Sequence, residues 1–225
     1  MLQFLRYKPI WAAFAATLIV GTGSSIAGGA GAYFYTYVLG DMKLMSGVSI
    51  IGLIASLVGI VMGPYLANRF GKKKVYLTAV IISTALNLLR LLDVTSMILI
   101  YISALIGGVA GGWMVPVSTS IQADNTTYVQ YKTGKRAEAA IASLTSFVSK
   151  VAQGLGGAIP GYVIAAYGFV TGASVQPESI NTGIILCALI LPLIFGILGS
   201  LIFGTQYTLD QKAVIEMDAK INRNN

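Results

Sequence analysis

Six stretches of this chain, at residues 10–38, 47–67, 75–92, 97–122, 138–167 and 182–203, are apolar over lengths that suit a membrane crossing. Crossing the hydrocarbon layer takes about 20 mostly apolar residues wound as helix, because lipid offers no hydrogen bonds to a loose backbone. The expected fold is therefore an all-α membrane protein of six transmembrane helices. Composition agrees, with 56% hydrophobic and 10% charged residues, where a soluble domain carries about 25% charged. The first stretch is too long for a cleaved signal, whose apolar core runs to about 7–15 residues.

The net charge of +7 could suggest nucleic acid, but the positions of the basic residues argue against it. Arg6 and Lys8 precede the first stretch, and Arg69, Lys72, Lys73 and Lys74 separate the second from the third. Lys132, Lys135 and Arg136 separate the fourth from the fifth, and Lys212, Lys220 and Arg223 follow the sixth. Alternating loops and the two ends thus hold twelve of the fifteen basic residues, the bias that keeps such segments in the cytoplasm. Both ends are expected there, in a multi-pass protein of the plasma membrane with no nucleic-acid partner. One cysteine, Cys187, and no histidine leave little for a metal centre or a Cys-His or Ser-His-Asp site. No cofactor is expected. A six-span lipid-modifying enzyme would want clustered acidic residues at one face, whereas Asp41, Asp93 and Glu178 are scattered.

Small residues recur at helical spacing: Thr17, Gly21, Ser24, Gly28, Gly31 and Tyr35 in the first stretch, and Ser49, Gly52, Ser56, Gly59 and Gly63 in the second. Gly107, Gly111 and Met114 share one side of the fourth, Gly154, Gly157 and Gly161 one side of the fifth, and Gly196, Ser200 and Gly204 mark the sixth. Tight helix packing is the simpler reading; lining a pathway is the sharper one. Tyr35, near the outer end of the first stretch, and Trp113, beside Pro116 in the fourth, are candidates for a substrate cavity.

Lys150 demands more explanation. A cation at mid-membrane depth costs about 2.5–3.5 kcal/mol on insertion scales. Some 12 residues separate it from Glu138, about 18 Å of helix, which is far to snorkel. With Gln153 one turn on and Ser143 and Ser146 before it, Lys150 is expected to face a polar interior or cavity.

Two loops carry a family resemblance. Residues 63–74, Gly-Pro-Tyr-Leu-Ala-Asn-Arg-Phe-Gly-Lys-Lys-Lys, resemble the G-x-x-x-D-R-x-G-R/K-R/K loop of the major facilitator superfamily, with Asn68 in place of its aspartate. Residues 123–138 resemble the A-D-x-x-D-Y-x-E-x-K-T-G-x-R-x-E stretch of the glycoside–pentoside–hexuronide:cation symporters, the melibiose-permease family. Asp124, Tyr128, Lys132, Arg136 and Glu138 match it, while Thr127 and Gln130 replace acidic residues.

The resemblance covers the C-terminal half of such a transporter and implies one half of a major-facilitator-type bundle. It divides the chain into the end of a central cytoplasmic connection (1–9), a six-helix transmembrane domain (10–203) and a cytoplasmic tail (204–225), the last expected to be mobile. It further implies a sugar or glycoside substrate, a coupling cation (Na⁺ or H⁺), and an N-terminal six-helix half bearing the cation ligands. Coupling would involve Lys150 and Gln153, and a cytoplasmic gate would use Arg69, Asp124, Tyr128, Arg136 and Glu138. The alternative is a membrane-inserted fragment that transports nothing alone.

Overall fold

The structure is a computed structural model describing residues 6–173 and 175–223. Residues 1–5 of the expected connection and 224–225 of the tail lie outside the described residues. Among the described residues every regular element is a helix, with no strand. In order the helices are α1 (Lys8–Val38), α2 (Lys43–Phe70), α3 (Lys72–Arg90), α4 (Met97–Thr133), α5 (Glu138–Ala166), α6 (Ser179–Gln206) and α7 (Gln211–Arg223). By length and composition, α1, α2, α4 and α6 can each cross a membrane. α3 has 19 residues, opens on three lysines and ends on Arg90, and α5 is diluted by Lys150, Gln153 and small polar residues.

Local chemistry explains the boundaries. Pro9 stands in the first turn of α1, where its missing N–H costs nothing. Gly71, at φ 87°, turns the chain sharply from α2 into α3, and Gly134, at φ 69°, ends α4 in the left-handed conformation. Single π turns interrupt α1 at Phe34–Val38 and α6 at Leu186–Ile190. Phe34, Cys187 and Leu189 from these turns meet in one buried cluster.

Two expectations need correction. The stretch after residue 122 is not a loop: α4 continues to Thr133, its amphipathic end packing Ile121 and Val129 inward. The tail after residue 204 is not without structure of its own. It forms α7, which packs against α4, with Val214 on the core and the Lys220 ammonium 5.9 Å from the Tyr131 ring.

α1 lies between α5 and α6, α3 bridges α6 and α4, and α2 runs along α4. The α2–α4 seam brings backbone against backbone. A Cβ on Gly112 would strike the Ser56 carbonyl of α2, and one on Gly59 the Val109 carbonyl of α4. The outer side of α2 instead exposes Leu53, Ile54, Leu57 and Val61, a bulky apolar surface suited to lipid. α1 and α4 touch little, and the gap between them forms the main cavity.

The basic loops gather at one end of the bundle. There Tyr7 packs edge-on against Tyr128 at 5.6 Å, and the Lys73 ammonium donates to the Tyr207 carbonyl at 2.6 Å. Phe169 packs against Tyr33 and Tyr37 at the other end.

Candidate functional site

A cavity of about 390 Å³ opens between α1, α4 and α5. Thr17, Gly21 and Ser24 line it from α1, and Thr145 and Ser149 from α5. α4 contributes Ser118, Thr119, Gln122 and Asn125. No charged side chain is among the lining residues.

The helices fix the polarity of these groups. Thr17, Thr119 and Thr145 each donate the hydroxyl proton to the carbonyl four residues back, at 2.8, 3.1 and 2.9 Å. Their oxygens are left to accept from a ligand. Asn125 is only 3% exposed, and its side-chain oxygen has no hydrogen-bond partner among the described residues. A buried orphan acceptor costs about 1–3 kcal/mol, which a ligand hydroxyl would relieve. The arrangement suits a neutral, polyhydroxylated guest better than a phosphate.

The expected coupling residues stand beside this groove. Lys150 does not enter the helix bundle: it is exposed on α5, its ammonium 3.4 Å from the Gln153 amide oxygen. Ser149, the preceding residue, turns into the groove. The surface around Lys150 carries Ser143, Ser146 and Gln153, all exposed, and Gly154, Gly157 and Gly161, none with an atom near its would-be Cβ. Phe147 and Leu155 are exposed nearby, but the small and polar residues set this surface apart from the outer face of α2.

The two expected cavity residues separate. Tyr35 lines a smaller pocket near the end of α1, with Arg90 and Asn87. Trp113 packs on the core where α2 crosses α4, its backbone against Gly63 and its indole N–H buried without a partner among the described residues. Neither lines the main groove.

The gate residues do not form one network. Asp124 pairs with Lys72 at 2.6 Å, joining α4 to the start of α3. Arg136 and Glu138 lie 3.9 Å apart with both side chains more than 70% exposed, a pair of little energetic consequence. Arg69 is exposed, donating to the Tyr65 hydroxyl at 3.1 Å beside the Phe70 ring. Tyr128 packs on Tyr7, with the Lys132 ammonium 5.9 Å from its ring.

The real cross-link at this end is Lys72–Asp124 together with Lys73 and Tyr207. Burial, with the Asp124 charge nearby, pushes the Tyr207 phenol far above its ordinary range, so it stays protonated. The sequence signalled Lys72 and Lys73 only as loop charge. Ser118, Thr119, Gln122 and Asn125 could have been noticed as a polar run interrupting an apolar stretch.

Residues 1–211 match the MFS/sugar transport protein family. The chain belongs to that family. It is 30% identical over 220 residues to the uncharacterized symporter YjmB of Bacillus subtilis, covering 96% of this chain and 47% of that protein. It is 28% identical to the glucuronide carrier protein homolog of Escherichia coli, covering 95% of this chain and 48% of the relative. The isoprimeverose transporter of Lactiplantibacillus pentosus is 28% identical over 66% of this chain and 31% of its own length. The chain thus spans about half the length, or less, of these curated relatives. The family and its relatives are transporters rather than enzymes, and membership makes this a membrane-embedded protein of the major facilitator superfamily.

Proposed function

We propose that this chain is the C-terminal six-helix half of a cation-coupled sugar symporter. On this reading α3 and α5 also cross the bilayer, giving six spans, with both ends in the cytoplasm. The observation carrying it is the groove between α1, α4 and α5, uncharged and lined by hydroxyls and amides. Such a surface can exchange hydrogen bonds with a sugar and lies open where a second half would close it. The names of the relatives, a glucuronide carrier homolog and an isoprimeverose transporter among them, support a sugar or glycoside as substrate.

The exposed glycines of α5 support a second half against that helix, since small residues let helix backbones approach in lipid. Lys150 then faces the junction of the halves, where its charge can interact differently with the two access states, as coupling requires. The coupling ion is Na⁺ or H⁺.

The reading is tested with cells making this chain alone, an N-terminal six-helix half of a relative alone, or both. Uptake of a labelled methyl glucoside driven by an imposed sodium or proton gradient is expected only from the pair. Gradient-driven accumulation by this chain alone would overturn the half-transporter reading, and so would none from several well-expressed pairs.

A further inference from the structure

A second pocket, about 230 Å³, lies between the outer parts of α2, α3 and α4 and the end of α1. Its only charged lining residue is Arg90, surrounded by Tyr35, Ser83, Asn87 and Ser103. The Arg90 guanidinium rests 5.0 Å from the Phe34 ring centroid, which satisfies a π-face but none of its N–H groups. Its Nε is buried without a partner. Among the described residues Arg90 makes no ion pair and no hydrogen bond, although Asp93 stands three residues away. Asp93 is turned to Thr95 instead, accepting from its N–H at 3.1 Å and its hydroxyl at 2.9 Å. Tyr35, Ser83, Asn87 and Ser103 likewise show no side-chain hydrogen bond among the described residues.

Arg90 is partly buried, and a cation that loses part of its hydration with no counter-charge among the described residues is unfavourable. Here it is surrounded by unpaired hydroxyls and an amide, all able to donate. Five groups converging on one cavity with their hydrogen-bonding capacity unused describe a site for an anion.

We infer that Arg90, with Asn87, Ser83, Ser103 and Tyr35, forms an anion-binding site for a carboxylate, sulfonate or similar oxyanion. A planar guanidinium can meet two oxygens of such a group at once, and the hydroxyls can take the remaining lone pairs. The site is not isolated. It shares Ser83 and Asn87 with a neighbouring cavity of about 290 Å³, which shares Val20, Ser24 and Met114 with the main groove. The anion site thus stands at one end of a row of cavities leading to the groove. It is distinct from the groove and from the Lys150 surface, and binding to it is read on this chain alone, whatever becomes of the transport reading.

The test is isothermal titration of the purified full chain, in chloride-free buffer, with methyl glucuronide, methanesulfonate, sulfate and, as the neutral control, methyl glucoside. The anions are expected to bind and the neutral glycoside to bind roughly tenfold or more weakly. Binding of an organic anion assigns the site to an acidic solute, and binding of sulfate alone assigns it to a free inorganic oxyanion. Arg90→Gln should reduce anion affinity roughly tenfold or more, and Arg90→Lys, keeping charge without the fork, by less. Asn87→Ala and Ser103→Ala, which leave the cation in place, should each weaken it several-fold and carry the test if Arg90→Gln fails to fold. Equal affinity for anion and neutral glycoside, no binding of any anion, or anion binding unchanged in Arg90→Gln or in both alanine variants would overturn the site.

Discussion

Lys150→Leu, in this chain paired with an N-terminal half, is expected to abolish cation-driven sugar uptake while leaving the amount of protein in the membrane normal or higher. The leucine removes a charge that costs about 2.5–3.5 kcal/mol to place at mid-membrane depth, so insertion should not suffer. The side chain is exposed and, among the described residues, its one hydrogen bond is to Gln153, at 3.4 Å, so the fold loses little. What is lost is the cation at the proposed junction of the halves, against which acidic groups of the other half would balance. Lys150→Arg is expected to restore little, because a guanidinium is larger, planar and far harder to deprotonate than an ammonium. The readout is gradient-driven uptake normalised to membrane protein. Near-normal uptake by the leucine variant would return Lys150 to a passive surface lysine.

Gly112→Val should remove folded protein altogether, whereas Gly111→Val, one position away, should not. A Cβ at Gly112 meets the backbone of Ser56, its carbonyl carbon at 2.8 Å and Cα at 2.9 Å, and backbone cannot rotate aside as a side chain can. Overpacking a core typically costs about 1–3 kcal/mol, and two helices forced apart along a seam lose more than one contact. Gly108, one turn earlier, meets Gly52 and Ala55 in the same way, so the seam has no slack nearby. Gly111 has open space where its Cβ would point. The comparison is the monodisperse fraction after detergent extraction and its melting temperature. Equal losses at the two positions would show that helix propensity, not the α2–α4 contact, governs the outcome.

These two glycines also show how far the sequence could be read. Helical spacing correctly grouped small residues into faces but could not say what each face meets. The stripe Gly52, Ser56, Gly59, Gly63 packs against α4, as tight packing requires. The stripe Gly107, Gly111, Met114 turns to cavities instead, and the seam on α4 belongs to Gly108 and Gly112, a face not singled out. Thr17, Gly21 and Ser24 of α1 likewise border the main groove. A glycine at a seam and one at a pore are the same residue with the same period, and only the partner helix distinguishes them.

All-helical membrane character was legible because apolar run length measures bilayer thickness directly. The last part of α4 was harder, since the polar residues from 123 to 133 look like a loop in sequence although the helix runs on through them. The gate residues were chosen by a resemblance of loop sequence, which carries no information on pairing. Asp124 therefore found Lys72, fifty-two residues earlier, rather than Arg136. Arg90 stands in the last turn of α3, and its lack of an ion pair or hydrogen bond among the described residues shows only in three dimensions.

The groove is the centre of the account, and the most direct measurement is sugar affinity after its orphan acceptor is removed. Asn125→Leu and Gln122→Leu, each in the paired halves, are to be compared with the unaltered pair for equilibrium binding of labelled methyl glucoside. Each variant is expected to weaken binding roughly tenfold, the effect of one hydrogen-bonding partner lost from a desolvated site, and the double variant further. Unchanged affinity in both single variants and the double variant would contradict the account and place the sugar site elsewhere.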